Sequence, residues 1–521
     1  MFPYVTTGLA LLAIGLTCWI GLQRGMDKAL SFGPQSEENA IAVAISELVY
    51  GLDGYLTHYK VLEALEEPIS RGASGANDPR IQPNLRNGAL INEGIENATR
   101  LGSLAPVFVF DGGLRTMVYD DVGIVDFMKV AFATFGFRIE SLYFLFFAAL
   151  TLSTLAFSLQ FWGRPLAQVL MVCSVSAFII ELQSRVFSVD MPTFWGMRHG
   201  STLALVPTLH LALLLIYRCR LNLVALALAA LQVAILVLAM KMRGTALWAV
   251  LFLAGLTLLL AWSTWRRSAD ERSLPSLARL AVKWPFVLVL AGIAANWLYT
   301  SSKLHPVYFT DDVLPYHGAW HSAFLGLNTS PDFWPLTGVV DGAAAHADSL
   351  GYKAALAYLK ERKFIHLEQD YLSPWTKTFK MRLHDNIMRR VFFGLVAGHP
   401  KETIALYLYW KPIQIWAVFT NVVERVPVEA WLVALLGATL LAGLLVVAFP
   451  AIGAREFRAP FMTVLGAFVV SFLPNMWAYG SAHTISDSLL LVFILATFGG
   501  CWAAAAAMLR WRARIPQGRV A

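Results

Sequence analysis

Two adjacent carboxylates, Asp120 and Asp121, stand ahead of an amphipathic stretch in MVYDDVGIVDFMKVAFATFGFRIESLYFLFFAAL (117–150). A carboxylate at a lipid–water boundary can deprotonate a hydroxyl as a general base or hold a cation. It can equally cap a helix, a position Asp favours strongly; but a cap needs one aspartate, and here there are two. Cationic partners for a leaving phosphate occur elsewhere: Arg198 and His199 in DMPTFWGMRHGST, and Lys303 with His305 after a later apolar run. Arginine grips phosphate bidentately, although such residues beside Trp195 also serve as interfacial anchors. His317 and His321 are four residues apart and would share one face of a helix. The intervening Gly-Ala-Trp lacks the glutamate of an H-E-x-x-H zinc site. Hydrogen bonding to a sugar or phosphate, or a structural role, is expected of this pair, and no metal is assigned.

Membrane-embedded elements must position these residues. The 521-residue chain is 57% hydrophobic and 14% charged, against about 25% charged in a soluble domain, so it reads as a polytopic membrane protein. The net charge of +7 needs no nucleic acid to explain it, because Lys and Arg gather in short loops beside apolar runs. Cys18, Cys173, Cys219 and Cys501 lie in or beside those runs, so the polar regions hold no disulfide framework. The N-terminal run lacks a basic n-region and a small-residue cleavage site, which predicts an uncleaved first span.

A spanning helix needs roughly 20 mainly apolar residues. That rule predicts about ten, near 4–22, 141–162, 165–183, 201–218, 221–240, 244–264, 284–300, 430–450, 459–478 and 485–509. The stretch 404–422 carries Lys411-Pro412 among Trp and Tyr residues and is expected to lie at the interface or re-enter. With both termini inside, Arg164, Arg218, Arg220, the 266–283 cluster, Arg455, Arg458 and the C-terminal arginines all face the cytoplasm, the positive-inside arrangement. Arg24 and Lys28 after the first span dissent. No span carries a central charge, and Glu181 sits near a span end, which weakens a proton-coupled transporter.

The predicted organisation is a first span (1–22), a first outer region with the acidic pair (23–140), a bundle (141–300), a second outer region with an interfacial helix (301–429), and C-terminal spans with a basic tail (430–521). In the first region Ile41, Ile45, Leu48 and Val49 recur at helical spacing over 38–65. Ile124, Phe127, Met128, Ala131, Phe132 and Phe135 form one face of a helix suited to lie flat on a bilayer, with Asp126 and Lys129 off it. In the second region an apolar stripe from Phe379 to Leu395 predicts a helix stopping at Gly398, with Pro400 opening the next.

The acidic pair followed by AFATFGFRIESLYFL, together with MRRVFFGLVAGHPKETIALYLYWKPIQIW (388–416), resembles the GT-C superfamily of polytopic membrane glycosyltransferases. The resemblance covers about a third of the chain, by motif and layout. It implies an all-α fold with about ten transmembrane helices and two helical outer-face insertions. It also implies a polyprenyl-phosphate-linked sugar donor, an envelope glycan, lipid or protein acceptor, and inverting transfer with an aspartate as base. That base would be Asp120 or Asp121; the superfamily's acidic motif is often Asp-Glu or Asp-x-Asp, so Asp-Asp leaves the choice between them open. Metal dependence varies across the superfamily, and none is assigned. The expected location is a bacterial inner membrane, with the active face periplasmic. A polysaccharide polymerase, ligase or flippase-type protein, or a non-catalytic membrane scaffold, are the alternatives the residues leave open.

Overall fold

The structure is a computed structural model describing residues 2–27, 36–74, 88–102, 104, 114–116, 121–183, 200–267, 283–309, 318–340, 342, 345–364, 381–424, 426–449, 452–478 and 485–514. Asp120, Arg198, His199 and His317 lie outside the described residues.

The chain is predominantly helical. Helix α1 (Phe2–Asp27) is followed by the first polar region: α2 (Ser36–Tyr50), strand β1 (Leu56–His58), α3 (Tyr59–Ser74), α4 (Gly88–Thr99), strand β2 (Leu114–Thr116) and α5 (Gly123–Phe135). The bundle continues with α6 (Glu140–Gln160), α7 (Pro165–Gln183), α8 (Leu205–Ile216), α9 (Leu223–Met242), α10 (Leu247–Arg267) and α11 (Trp284–Lys303). The second polar region holds α12 (Ala319–Leu327), α13 (Trp334–Thr337), α14 (Asp348–Glu361), α15 (Met381–Gly398), α16 (Pro400–Ala405) and α17 (Lys411–Glu424). The chain then returns to the bundle through α18 (Val428–Ala448), α19 (Arg458–Val470), α20 (Leu473–Trp477) and α21 (Ser486–Arg514).

Among the described residues, eight helical segments are long and apolar enough to cross a bilayer: Phe2–Ile20, Glu140–Gln160, Leu223–Met242, Gly244–Arg266, Trp284–Lys303, Trp431–Ala448, Arg458–Trp477 and Asp487–Arg512. This is a multi-pass membrane protein. Two of the ten predicted spans coincide with shorter apolar helices, Pro165–Ile179 and Gly200–Ile216. Every residue of α8 from Leu205 to Leu215 is buried, so this helix sits inside the bundle, where an all-round apolar surface belongs. Helix α7 joins α1 to α21, which in turn packs on α18. Inside the bundle Gln232 exchanges hydrogen bonds with Ser153 (2.6 and 2.7 Å) and meets His210 Nδ1 at 3.0 Å. The span pattern gave no sign of this internal polar contact.

The two polar regions differ in how they are held. The first shares the bundle's core: Ile41, Ile45, Val61, Leu65, Ile91 and Ile95 belong to the same apolar cluster as the bundle interior. The second has a core of its own, built from Phe324, Leu327, Phe333, Leu359, Met388 and Phe392.

Local departures from the sequence reading have clear causes. The helical spacing of Ile41, Ile45, Leu48 and Val49 falls in α2, which ends at Tyr50, where Gly51, Gly54 and Tyr55 take positive φ. The chain then forms a three-residue antiparallel ribbon, Thr57 opposite Arg115. Ile41 and Ile45 are buried, while Leu48 and Val49 are partly exposed. The apolar face of α5 is covered by protein rather than left to lipid: Ile124, Phe127, Met128, Ala131 and Phe132 are buried against α2, α6 and α9. Asn92 of α4 accepts from the Ile139 backbone N–H at 2.8 Å and donates to Glu140, which caps α6 from outside. Helix α15 ends at Gly398 and Pro400 opens α16, as the spacing predicts.

Helix α5 meets the end of α9 backbone to backbone. A β-carbon on Gly123 would overlap the carbonyl carbon and oxygen of Lys241. The obstacle is backbone, which cannot swing aside as a side chain would. Gly123→Ala is therefore expected to destabilise the protein by about 1–3 kcal/mol, the usual cost of overpacking. A lowered midpoint of thermal unfolding in detergent would show it, and an unchanged midpoint would mean the helices can part freely.

Candidate functional site

The turn between α9 and α10 holds Asp121, the described member of the acidic pair. Asp121 is half-buried, and its Oδ2 accepts the Gly244 backbone N–H at 3.3 Å. The N-cap residue of α5 is Val122, with no side-chain capping bond. Asp121 therefore directs a carboxylate oxygen toward a neighbouring turn.

That placement is enforced by a charge cluster five residues further on. Asp126 accepts from the Tyr55 hydroxyl at 3.0 and 3.1 Å. It pairs with Lys129 at 3.0 Å and with Lys241. Lys129 also pairs with Glu47 at 2.8 Å. Two carboxylates thus meet two ammonium groups, and the cluster is neutral, which is the condition for taking charges out of water. Both ammonium groups also lie near the Tyr55 ring face, at 5.0 and 5.9 Å. Burial, then the charge of Asp126, push the Tyr55 phenol upward from its ordinary pKa, so it stays a hydroxyl donor. Carboxylate partners outweigh the effect of burial on Lys129 and raise its pKa.

The segment entering α8 docks on the same turn. Gly200, the residue after Arg198-His199, packs so closely on Met242 that a β-carbon would lie 2.6 Å from its Cε. Ser201 donates at 3.3 Å to Asp487, whose other oxygen accepts the Trp248 indole N–H at 2.9 Å. Asp487 is buried at the start of α21. This carboxylate ties α21 and α10 to the segment that follows Arg198-His199. Sequence reasoning missed it because a single Asp at the edge of an apolar run looks like an ordinary end residue.

The remaining predicted residues sit elsewhere. Lys303 is exposed at the end of α11. His305 joins the two polar regions: its N–H donates to the Gly54 carbonyl at 3.3 Å. Tyr308, three residues on, donates from its hydroxyl to the Tyr55 carbonyl at 2.7 Å, and its own backbone carbonyl accepts from the Arg382 guanidinium at 2.5 Å.

His321 lies in the second region's own cluster. Its Nε2 meets Asp348 at 3.2 Å and its Nδ1 meets His384 Nε2 at 2.8 Å. An ionised Asp348 can only accept, so Nε2 carries the His321 proton and Nδ1 accepts from His384. The ring thus bridges two partners along a line. Among the described residues no group of three His, Cys, Asp or Glu side chains is placed to hold a metal ion. Asp385 accepts the backbone N–H groups of Trp320 and His321 at 2.9 and 3.3 Å, capping α12 from α15.

Lys411, fully buried in the stretch expected at the interface, donates to the carbonyls of Met476, Trp477 and Ala478 at 2.6, 3.1 and 2.5 Å. All three ammonium protons are satisfied by the end of α20. A π-helical turn, Leu406–Trp410, immediately precedes it. One face of this helical run packs through Leu406, Ile415 and Phe419, while Leu408, Tyr409 and Trp416 are exposed. The run is not among the eight long apolar segments.

No protein-family model matches the sequence, and neither curated proteins nor solved structures provide a match.

Two outcomes follow from this geometry. Asp126→Leu leaves Lys241 buried without its carboxylate and is expected to cost on the order of 3 kcal/mol. Asp126→Leu combined with Lys241→Met removes both charges and should recover part of that loss, measurable as a double-mutant cycle in thermal unfolding. Burial, with the neighbouring His321, lowers the His384 pKa from 6.5 to about 3. A depressed folded-state value contributes stability that is complete above the unfolded value and is lost as the pH falls. The second region should therefore weaken progressively from pH 6.5 down toward about 3. His384→Gln keeps a hydrogen-bonding group without the titration, and should flatten that slope in unfolding midpoints recorded against pH.

Proposed function

We propose that this protein is a GT-C-like membrane glycosyltransferase. On this reading it transfers a sugar from a polyprenyl-phosphate-linked donor to an envelope glycan, lipid or protein acceptor. The membrane is a bacterial inner membrane, about ten helices cross it, and the reaction takes place on the periplasmic face. The acidic pair supplies the base: Asp120 or Asp121 removes the acceptor hydroxyl proton as that oxygen attacks the anomeric carbon and the donor phosphate leaves. Arg198 and His199 receive the charge on the departing phosphate, the kind of preorganised stabilisation that dominates such reactions.

One observation carries this reading. Asp121 accepts from Gly244, and Gly200, two residues after Arg198, packs on Met242. Segments far apart in sequence, one with the acids and one following the arginine, are therefore anchored within one turn of chain. A carboxylate serving only as a helix cap has no need of that neighbour. The turn lies at the end of the bundle where the two polar regions touch through Gly54 and His305.

The test is transfer from a polyprenyl-phosphate sugar in membranes carrying Asp120→Asn, Asp121→Asn or Arg198→Gln. Loss of the general base is expected to lower turnover by about 10²–10⁴-fold, with the detergent-extracted protein keeping its unfolding midpoint. Turnover within a few-fold of wild type in both aspartate variants would remove the pair from the mechanism.

A further inference from the structure

The second polar region contains an open cleft of about 620 Å³ that plays no part in the site above. Arg362, just past the end of α14, and Arg389 and Arg390 on α15 line it, against one carboxylate, Glu361. Arg389 and Arg390 are exposed and pair with no carboxylate among the described residues. Arg362 stacks over the Tyr358 ring at 5.6 Å. The cleft therefore sets three guanidinium groups against one carboxylate among the described residues, an excess of positive charge.

Its other side is apolar. Phe324, Leu336 and Phe393 line it, with Leu336 and Phe393 40% and 52% exposed. The Phe393 ring lies 5.0 Å from that of Trp320, which lies 5.1 Å from Trp477. Trp477 closes the apolar segment Arg458–Trp477, and tryptophan at such an end marks the headgroup level of a bilayer. The apolar side of the cleft is thus continuous with the membrane boundary, and the arginines lie on its polar side. A soluble phosphate or an acidic sugar would engage the arginines and leave Leu336 and Phe393 bare. A neutral lipid would do the reverse.

We propose that this cleft binds an anionic phospholipid, its phosphate on Arg362, Arg389 and Arg390 and its acyl chains along Leu336 and Phe393 toward Trp477. Arginine forks match phosphate oxygens bidentately, and three of them converge from two helices. The site is separate from the acidic pair and stands whether or not the transferase reading holds.

The test is native mass spectrometry of the full chain in dodecyl maltoside, equilibrated with equal amounts of phosphatidylglycerol and phosphatidylcholine. Retention of phosphatidylglycerol is expected to exceed that of phosphatidylcholine by about tenfold, one well-made charge-assisted contact's worth of selectivity. Arg389→Gln with Arg390→Gln should bring the ratio close to one, and Arg362→Gln alone should lower it in part. All three residues are at the surface, so folding is checked simply by an unchanged elution volume. Inorganic phosphate should displace the lipid no better than sodium chloride of equal ionic strength. An unchanged ratio in both variants overturns the site. Specific displacement by inorganic phosphate overturns the lipid and leaves a site for a soluble anion.

Discussion

Helix α5 and the end of α9 approach until Gly123 rests on the Lys241 carbonyl, and Asp126 closes the contact by taking both Lys129 and Lys241. Burying any one of these charges alone would be costly, and removing one partner leaves that cost uncompensated. Together with Glu47 they are neutral, and the Tyr55 hydroxyl fills the remaining acceptor capacity of Asp126. The cluster can form only when α2, the Gly54–Tyr55 turn, α5 and α9 are all in place. It therefore makes the first polar region part of the bundle rather than an appendage. The α9–α10 turn, and with it the Asp121–Gly244 and Gly200–Met242 contacts, inherits its position from this clasp.

The second polar region is attached on a different principle. It buries its own apolar side chains and is joined to the rest by polar contacts and by aromatic ones, Trp320 on Trp477 and Phe419 on Phe468 and Phe472. Lys411 inserts into the carbonyl end of α20, where the helix dipole favours a cation. Gly326 of α12 faces the same Ala478 carbonyl, with no room for a β-carbon. Through Tyr308 and Arg382 the region also reaches the Tyr55 backbone, and so touches the first region beside the charge cluster. A body with its own core, held at defined points, can shift relative to the bundle with less repacking than one that shares the bundle's core.

On the proposed transferase reading, such a division suits surface chemistry on membrane-bound molecules. The clasped turn offers carboxylates in fixed orientation, since Asp121 is held by a backbone donor and Asp487 by an indole and a hydroxyl. Preorganised groups do not need to reorient as charge develops. The arginine cleft of the second region lies on the other side of the Trp320–Trp477 aromatic contact from the bundle, where the apolar surface of the protein meets its polar part.

Much of this architecture is already written in the sequence. Hydrophobicity and length alone specify long membrane helices, because a bilayer leaves the backbone no other partner than itself. The amphipathic face of α5 and the Gly398–Pro400 break were legible for the same local reason, since periodicity and φ restrictions act within a few residues. What that face packs against was not legible: an apolar stripe reads the same to lipid and to protein, and here protein covers it. Nor could spacing reveal that Asp126, off the stripe, would meet Lys241 from a span 115 residues away. Asp487 with Ser201, His321 with His384, and Lys411 with the α20 carbonyls are of the same kind. Each joins polar groups far apart in the chain, and their pairing follows from the packing of the helices that carry them. The sequence by itself determined which segments avoid water. Only the tertiary structure decided which polar groups meet, because the penalty for leaving a buried charge or carbonyl unpaired is felt once the helices have excluded water from around it.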